Sequence, residues 1–179
     1  MSDPRRFEKL VLPHLDAACN LARWLTRSAA DADDVVQDAC VRAMKYIDSL
    51  RGGEARAWFL TIVRHAFYDW CERNRPGEIA HDDGDAIDTV PDEGAAGPEQ
   101  AASLRDESRA LADAIANLPL TYREVLVLRE LEELSYKEIA RIADIPIGTV
   151  MSRLARARGL LQRSALLQVI GEQRRGGER

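Results

Sequence analysis

The segment Pro76–Pro98, PGEIAHDDGDAIDTVPDEGAAGP, constrains this chain more than any other stretch. It is rich in Gly, Pro and Asp and nearly devoid of aliphatic side chains. Such a composition cannot bury enough apolar surface to offset the entropy of ordering it. It therefore predicts an extended linker with a helical module on either side. The 179 residues suffice for two small domains of this kind. The expected boundaries are 1–75 for the first module, 76–108 for the acidic linker and 109–179 for the second module.

Charge follows the same division. The net charge of −5 argues against a nucleic-acid binder only until it is split along the chain. Residues 76–108 hold 1 basic and 10 acidic residues, a balance of −9, whereas 1–75 balance at +1 and 109–179 at +3. All of the negative excess sits in the linker, so DNA binding by either flank stays electrostatically open. No apolar run approaches the ~18 residues of a membrane span. The start, MSDPRRFEKL, lacks the apolar core of a signal peptide, which predicts a cytoplasmic protein with no membrane insertion. Cys19, Cys40 and Cys71 are widely spaced, and His14, His65 and His81 form no ligand cluster with them. Buried thiols are expected, with no disulfide framework and no metal. No phosphate-binding loop, H-E-x-x-H or nucleophile-elbow pattern occurs, so neither catalytic residues nor a cofactor are expected.

Helical spacing dominates both flanks and β alternation is missing, so the predicted fold is all-α. In the first module Phe7, Leu10, Val11, Leu15, Ala18, Leu21, Ala22 and Leu25 recur at that spacing, and Pro13 calls for a kink or a fresh start. A second helix should open near Asp31, with Asp33 and Asp34 in its first turn, where acids suit the helix dipole. Its apolar side reads Val35, Val36, Ala39, Ala43, Met44 and Ile47. Gly52 and Gly53 should end it, and a third helix should run from about Glu54 to Asn74.

The second module carries two start signals. Thr121-Tyr-Arg-Glu124 and Ser135-Tyr-Lys-Glu138 both fit a capping box. A short break at Asp144-Ile145 follows, and Pro146 suits the first turn of another helix. Two short helices across so tight a turn predict a helix-turn-helix at about 136–155. On the second of these helices Val150, Leu154, Ala157 and Leu161 form a packing face. The opposite surface presents Thr149, Ser152, Arg153 and Arg156, with Arg158 and Arg163 further along. Arginines and short hydroxyls on an exposed helix suit major-groove reading, because Arg can pair bidentately with guanine. The third helix of the first module, ARAWFLTIVRHAFYDWCERNRP, mixes aromatics with bases, a combination that stacks on unpaired bases while holding the backbone. Trp58 and Trp70 fit a core better than a ligand surface, whereas Arg64, His65 and Tyr68 are expected to face outward.

In order and wording these motifs resemble the extracytoplasmic-function (ECF) sigma factors of the sigma-70 family, over roughly residues 7–76 and 109–164. The resemblance implies that DADDVVQDACVRAM is the helix that docks on the β′ clamp of core RNA polymerase, with Asp34, Gln37, Asp38 and Arg42 on the contact surface. It implies that ARAWFLTIVRHAFYDW reads and opens the −10 promoter region, with Arg64, His65 and Tyr68 facing DNA. The loop holding Ser49, Arg51 and Arg56 would then capture a flipped base. It further implies −35 contacts by Thr149, Met151, Ser152, Arg153, Ala155, Arg156 and Arg158, where Met151, Ala155 and His65 depart from common family residues. Thr61 and Ile62 stand where housekeeping members carry a wedging aromatic pair, so strict dependence on both promoter elements is expected. By the same resemblance the linker threads the polymerase cleft, where its acidity could act as a crude phosphate mimic. The implied partners are core polymerase (β′ clamp and β subunits), promoter DNA and an anti-sigma factor, with the free chain monomeric. Two alternatives stay open: a stand-alone helix-turn-helix regulator, and a sigma mimic that titrates an anti-sigma factor.

Overall fold

The structure, a computed structural model, describes residues 4–52, 54–77 and 104–176. Most of the linker expected over 76–108 lies outside these residues; its far boundary falls earlier than expected, because residues 104–108 already belong to a helix. Helices account for the regular structure among the described residues, and no strand occurs there.

The first module comprises α1 (Pro4–Leu10), α2 (Leu15–Thr26), α3 (Ala29–Tyr46) and α4 (Ala55–Asn74). Pro13 lies in a 3-10 turn, Leu12–His14, and α2 starts afresh behind it. The α2 helix buries Ala18, Leu21, Ala22 and Leu25 and ends at Arg27, whose φ of 58° is left-handed and whose N–H returns to the Arg23 carbonyl. The turn into α3 is held by Thr26, whose buried hydroxyl lies 2.8 Å from the Ala22 carbonyl and 2.9 Å from that of Ser28 and shares its one proton between them. Ser28, not a residue near Asp31, caps α3: its hydroxyl accepts the Asp31 N–H at 3.3 Å. Asp31 is therefore the first-turn acid, and Asp33 and Asp34 lie a turn deeper than expected. Short hydroxyl caps outcompete acidic composition in setting a helix start, because they satisfy an orphan N–H outright.

Val35, Val36, Ala39, Ala43 and Ile47 are buried as the spacing predicts, but Met44 is 44% exposed. The apolar stripe of α3 is narrower than the sequence pattern, and Met44 sits outside it. The helix also ends earlier than expected, at Tyr46, passing into a 3-10 turn at Ile47–Ser49 before Gly52. Gly52 has φ +85°, a left-handed conformation that glycine adopts without Cβ strain.

Helix α4 is buried on more than one side. Phe59, Leu60, Val63, Ala66, Phe67, Trp70 and Cys71 are all in the core. A helix apolar around much of its girth must be covered around much of its girth, and α4 packs on α2 and α3 and also on α7 of the second module.

That second module comprises α5 (Leu104–Ala116), α6 (Leu120–Leu126), a π turn (Val127–Leu131), α7 (Tyr136–Ala143) and α8 (Ile147–Gly176). Ser135 caps α7 with both halves of the capping box formed: Glu138 N–H donates to the Ser135 hydroxyl (3.3 Å), and Ser135 N–H donates to the Glu138 carboxylate (2.8 Å). The matching motif at Thr121 forms no such box. Pro119 occupies the cap position, Thr121 already lies within α6, and Glu124 turns to the other module. Both modules contribute to one continuous core, with α2 against α6 and α4 against α7.

Candidate nucleic-acid interface

Asp144, with φ 53°, makes the tight turn between α7 and α8. The Thr149 and Val150 N–H groups bond back to the Pro146 carbonyl at 3.0 and 3.1 Å, so Pro146 precedes the first turn of α8 instead of lying in it. Val150, Leu154 and Ala157 are buried, and this packing face holds α8 against α6 and α7. The outward side carries Met151 (54% exposed), Ser152, Ala155 and Arg156, while Thr149 and Arg153 are half-buried on its flank toward α6. Arg156 donates to the Tyr122 hydroxyl at 3.2 Å. Arg158 lies on the other flank and pairs with Glu130 at 2.5 Å. That partner holds its pKa above the ordinary arginine value, chiefly through the hydrogen bond, against the opposing effect of burial.

The expected −10 surface is divided. Ser49, Arg51 and His65 face solvent, and the Ser49 hydroxyl donates to the Tyr46 carbonyl at 2.7 Å. Arg64 does not lie on an open surface as expected. Its side chain keeps only 16% exposure, and its Nε donates to Glu124 Oε1 at 2.5 Å, on a carboxylate that is 1% exposed. Tyr68 is half-buried under the Arg64 guanidinium (4.5 Å to the ring centroid), and its hydroxyl reaches Glu124 Oε2 at 3.5 Å. Burial pushes the Glu124 carboxyl above the usual carboxylate range, while the charges of Arg64 and Arg153 pull it back. Burial likewise works against the Arg64 charge, but Glu124 and Tyr68 outweigh it and hold the guanidinium firmly protonated.

Two further bridges cross the same seam. Arg56 donates to Glu132 Oε2 at 2.7 Å, and Asn20 donates to Glu132 Oε1 at 2.5 Å. Arg141 of α7 forms a two-pronged pair with Glu54, one contact at 2.9 Å. The π turn serves this geometry. Its i→i+5 bond, Glu132 N–H to Val127 carbonyl at 3.1 Å, adds a residue to the turn just before Glu132 meets Arg56 and Asn20. Glu124, Glu132 and Glu54 escaped sequence reasoning as inter-module groups. Glu124 was already accounted for as half of a cap, and nothing local marks a partner 60 residues away.

On the far side of the first module, α3 presents Asp34, Gln37, Val41 and Met44 as an exposed stripe, with Val41 68% exposed. Asp38 and Arg42 flank it, half-buried and paired at 2.7 Å, and Arg42 reaches Asp69 of α4 at 2.5 Å. Met44 was missed as a surface group because its spacing and apolar type placed it on the buried side, and Val41, apolar but off that side, was not singled out.

Residues 10–76 match the family model for Sigma-70 region 2, and residues 108–161 match that for Sigma-70, region 4. The chain is 33% identical over 167 residues to the ECF RNA polymerase sigma-E factor of Haemophilus influenzae, covering 89% of this chain and 87% of that one. It is 39% identical over 150 residues to the ECF RNA polymerase sigma factor EcfG of Rhodopseudomonas palustris, covering 82% and 77%. Among solved structures it is similar to the sigma factor RpoE of Bartonella quintana in complex with the anti-sigma factor NepR, with TM-score 0.67, 33% identity and 89% and 96% coverage. It is also similar to CnrH in complex with the cytosolic domain of CnrY, with TM-score 0.63, 29% identity and 93% and 90% coverage.

Proposed function

The chain belongs to the extracytoplasmic-function sigma factors of the sigma-70 family, and from that membership we propose how its surfaces divide the work of starting transcription. As a sigma factor it serves RNA polymerase in promoter-specific initiation, and members of this family are initiation factors, not enzymes. The first module docks on core polymerase through the α3 stripe. Asp34 and Gln37 give polar contacts, Val41 and Met44 are the apolar centre, and Arg42 braces the helix through Asp38 and Asp69. The mixture of a small apolar centre with a charged rim is what a specific but reversible interface needs.

In this reading the −10 strand runs along α4 and the loop before it. His65, Arg64 and Tyr68 hold and stack on unpaired bases, and Ser49, Arg51 and Arg56 receive a flipped base. The −35 duplex receives α8 in its major groove, where Ser152, Arg153 and Arg156 supply hydrogen bonds and Met151 and Ala155 supply apolar contact with base edges. Thr149 and Arg158, on the flanks, contact phosphates. The supporting observation is the division of α8 into a packed face of Val150, Leu154 and Ala157 and an outward face of Met151, Ser152, Ala155 and Arg156, behind a capped α7.

Because polymerase and promoter share one compartment, the protein acts in the cytoplasm. Among the described residues no helix is long and apolar enough to cross a membrane. One neighbouring structure is a complex with an anti-sigma factor and another a complex with the cytosolic domain of CnrY, and an anti-sigma partner for this chain, monomeric when free, belongs to the same proposal. Run-off transcription on a promoter library, with purified core polymerase, with and without this protein, tests the reading. Protein-dependent transcripts from a subset sharing −10 and −35 elements are expected. Tight operator binding without any transcript would instead mark a stand-alone regulator.

A further inference from the structure

Three arginines of α8 meet three different partners on the segment that runs from α6 through the π turn. Arg153, half-buried, lies within electrostatic reach of the Glu124 carboxylate. Arg158 pairs with Glu130 at 2.5 Å, each side chain about half exposed. Arg156, exposed on the outward face, donates from Nη1 to the Tyr122 hydroxyl at 3.2 Å. The Tyr122 contact differs in kind from the other two. A carboxylate cancels the charge of the guanidinium it holds, whereas a phenol orients a guanidinium without cancelling its charge.

Tyr122 is well anchored for this role. It stands in the first turn of α6, where its own N–H and that of Arg123 both bond to the Pro119 carbonyl, at 3.1 and 2.9 Å. The Arg123 side chain, 5% exposed, ties down the connection before that turn by donating to the Ala116 and Leu118 carbonyls, each at 2.8 Å. The Tyr122 ring packs against the core, and α6 packs on α8. A tyrosine has two side-chain torsions, so a seated ring also fixes its hydroxyl. An arginine on an exposed helix face has many rotamers to lose, and a fixed acceptor selects among them.

We infer that Tyr122 is a positioning residue for −35 recognition: its hydroxyl holds Arg156 at one reach into the major groove, aligned with the guanine edge of a single base pair. This rests on the −35 role proposed for α8 and adds what makes that role selective. Pairing with guanine O6 and N7 needs two N–H groups presented together. A guanidinium carries enough donors in its planar fork to keep a tether as well. The tether sets the plane and depth of that fork. A loosely held Arg156 would instead follow any phosphate within reach and add affinity without choice. The hydroxyl therefore acts on selectivity more than on grip.

The test uses holoenzyme assembled from core polymerase and the full chain, on a promoter found by run-off transcription and on its single-base −35 variants. Competition binding compares wild type, Tyr122→Phe, Arg156→Ala and the double change, each checked for folding by circular dichroism. Tyr122→Phe keeps the packed ring and Arg156 is exposed, so neither change threatens the core.

Arg156→Ala should reduce discrimination at one G·C pair about tenfold, the scale of a well-placed guanine contact. Tyr122→Phe should reduce it at that same pair about threefold, the share of one ordinary hydrogen bond, and leave the other positions unchanged. In the Arg156→Ala background Tyr122→Phe should do nothing more, because the two act as one unit. A uniform affinity loss across all variants would mark a direct backbone contact by Tyr122 and overturns the inference. So does an equal effect of Tyr122→Phe with and without Arg156. The outcomes also separate the two readings. If Arg156→Ala leaves every −35 position unchanged, the base-reading role of Arg156 falls together with the inference. If Arg156→Ala flattens one position and Tyr122→Phe does not, only the inference falls.

Discussion

Val41 is an apolar side chain, 68% exposed, in the middle of a helix whose other valines are buried. Single exposed apolar residues are ordinary, but this one is aligned with Met44 and flanked by Asp34 and Gln37. Val41→Asp should leave thermal stability within about 0.5 kcal/mol, as surface changes usually do. It should weaken binding to core polymerase at least about tenfold, or ~1.4 kcal/mol. Titration of labelled core enzyme would measure this, and undiminished binding would remove α3 from the interface. At this scale the sequence was legible where residue type and position agree. Asp34, Gln37 and His65 are exposed and Trp70 is buried, as their pattern implies. It was not legible for Arg64, whose setting depends on a carboxylate distant in the chain.

The two capping motifs show what a local string can and cannot carry. Ser135-Tyr-Lys-Glu138 forms its box because Ser135 is extended (φ −69°, ψ 156°) and itself occupies the cap position. Thr121-Tyr-Arg-Glu124 has equivalent chemistry, but Pro119 takes the cap position and Glu124 finds a cation across the seam. Helix starts and types were therefore readable wherever bonding is local. They were misjudged by a residue or more where a neighbouring hydroxyl or proline also fits, as at Ser28. Ser135→Ala should destabilise the chain by about 1 kcal/mol, measured by urea unfolding. The hydrogen bonds from Ser135 hold the Glu138 carboxyl below its ordinary value. Its share of stability is therefore present above the ordinary carboxylate pKa and fades as pH falls through the lowered one. In Ser135→Ala that acid-side loss should shrink, and an unchanged pH profile would contradict the assignment.

At the scale of the whole molecule, helical periodicity and the position of the linker were enough to read two all-α modules. Their docking was not readable, because α4 looks like a one-sided helix until both its covers are known. Its composition held the clue: Ala57 and Phe59, about 160° apart around the helix, are both buried. Promoter opening is also a property of the whole. Thr61 spends its hydroxyl on the Ala57 carbonyl at 2.8 Å, and neither Thr61 nor Ile62 offers an aromatic wedge. Unstacking a base step costs a few kcal/mol, so upstream grip must supply what wedging does not. Each mismatch in the −35 element, worth about 1–3 kcal/mol, should then lower run-off transcription roughly five-fold or more. Promoters that keep most of their activity after −35 mutation would disprove this.

The small cavity between the modules, about 170 Å³, is lined by Leu25, Arg27, Phe67, Cys71 and Arg75 from one side and by Leu118, Leu120 and Arg123 from the other. The Cys71 thiol is 2% exposed, and Cys71 forms part of this cavity's wall. A maleimide dye should therefore modify Cys71 at a pace set by how often the halves separate, and more quickly once polymerase is bound. Mass spectrometry resolving it from Cys19 and Cys40 would turn an unmodified native sulfur into a clock for the breathing of the molecule.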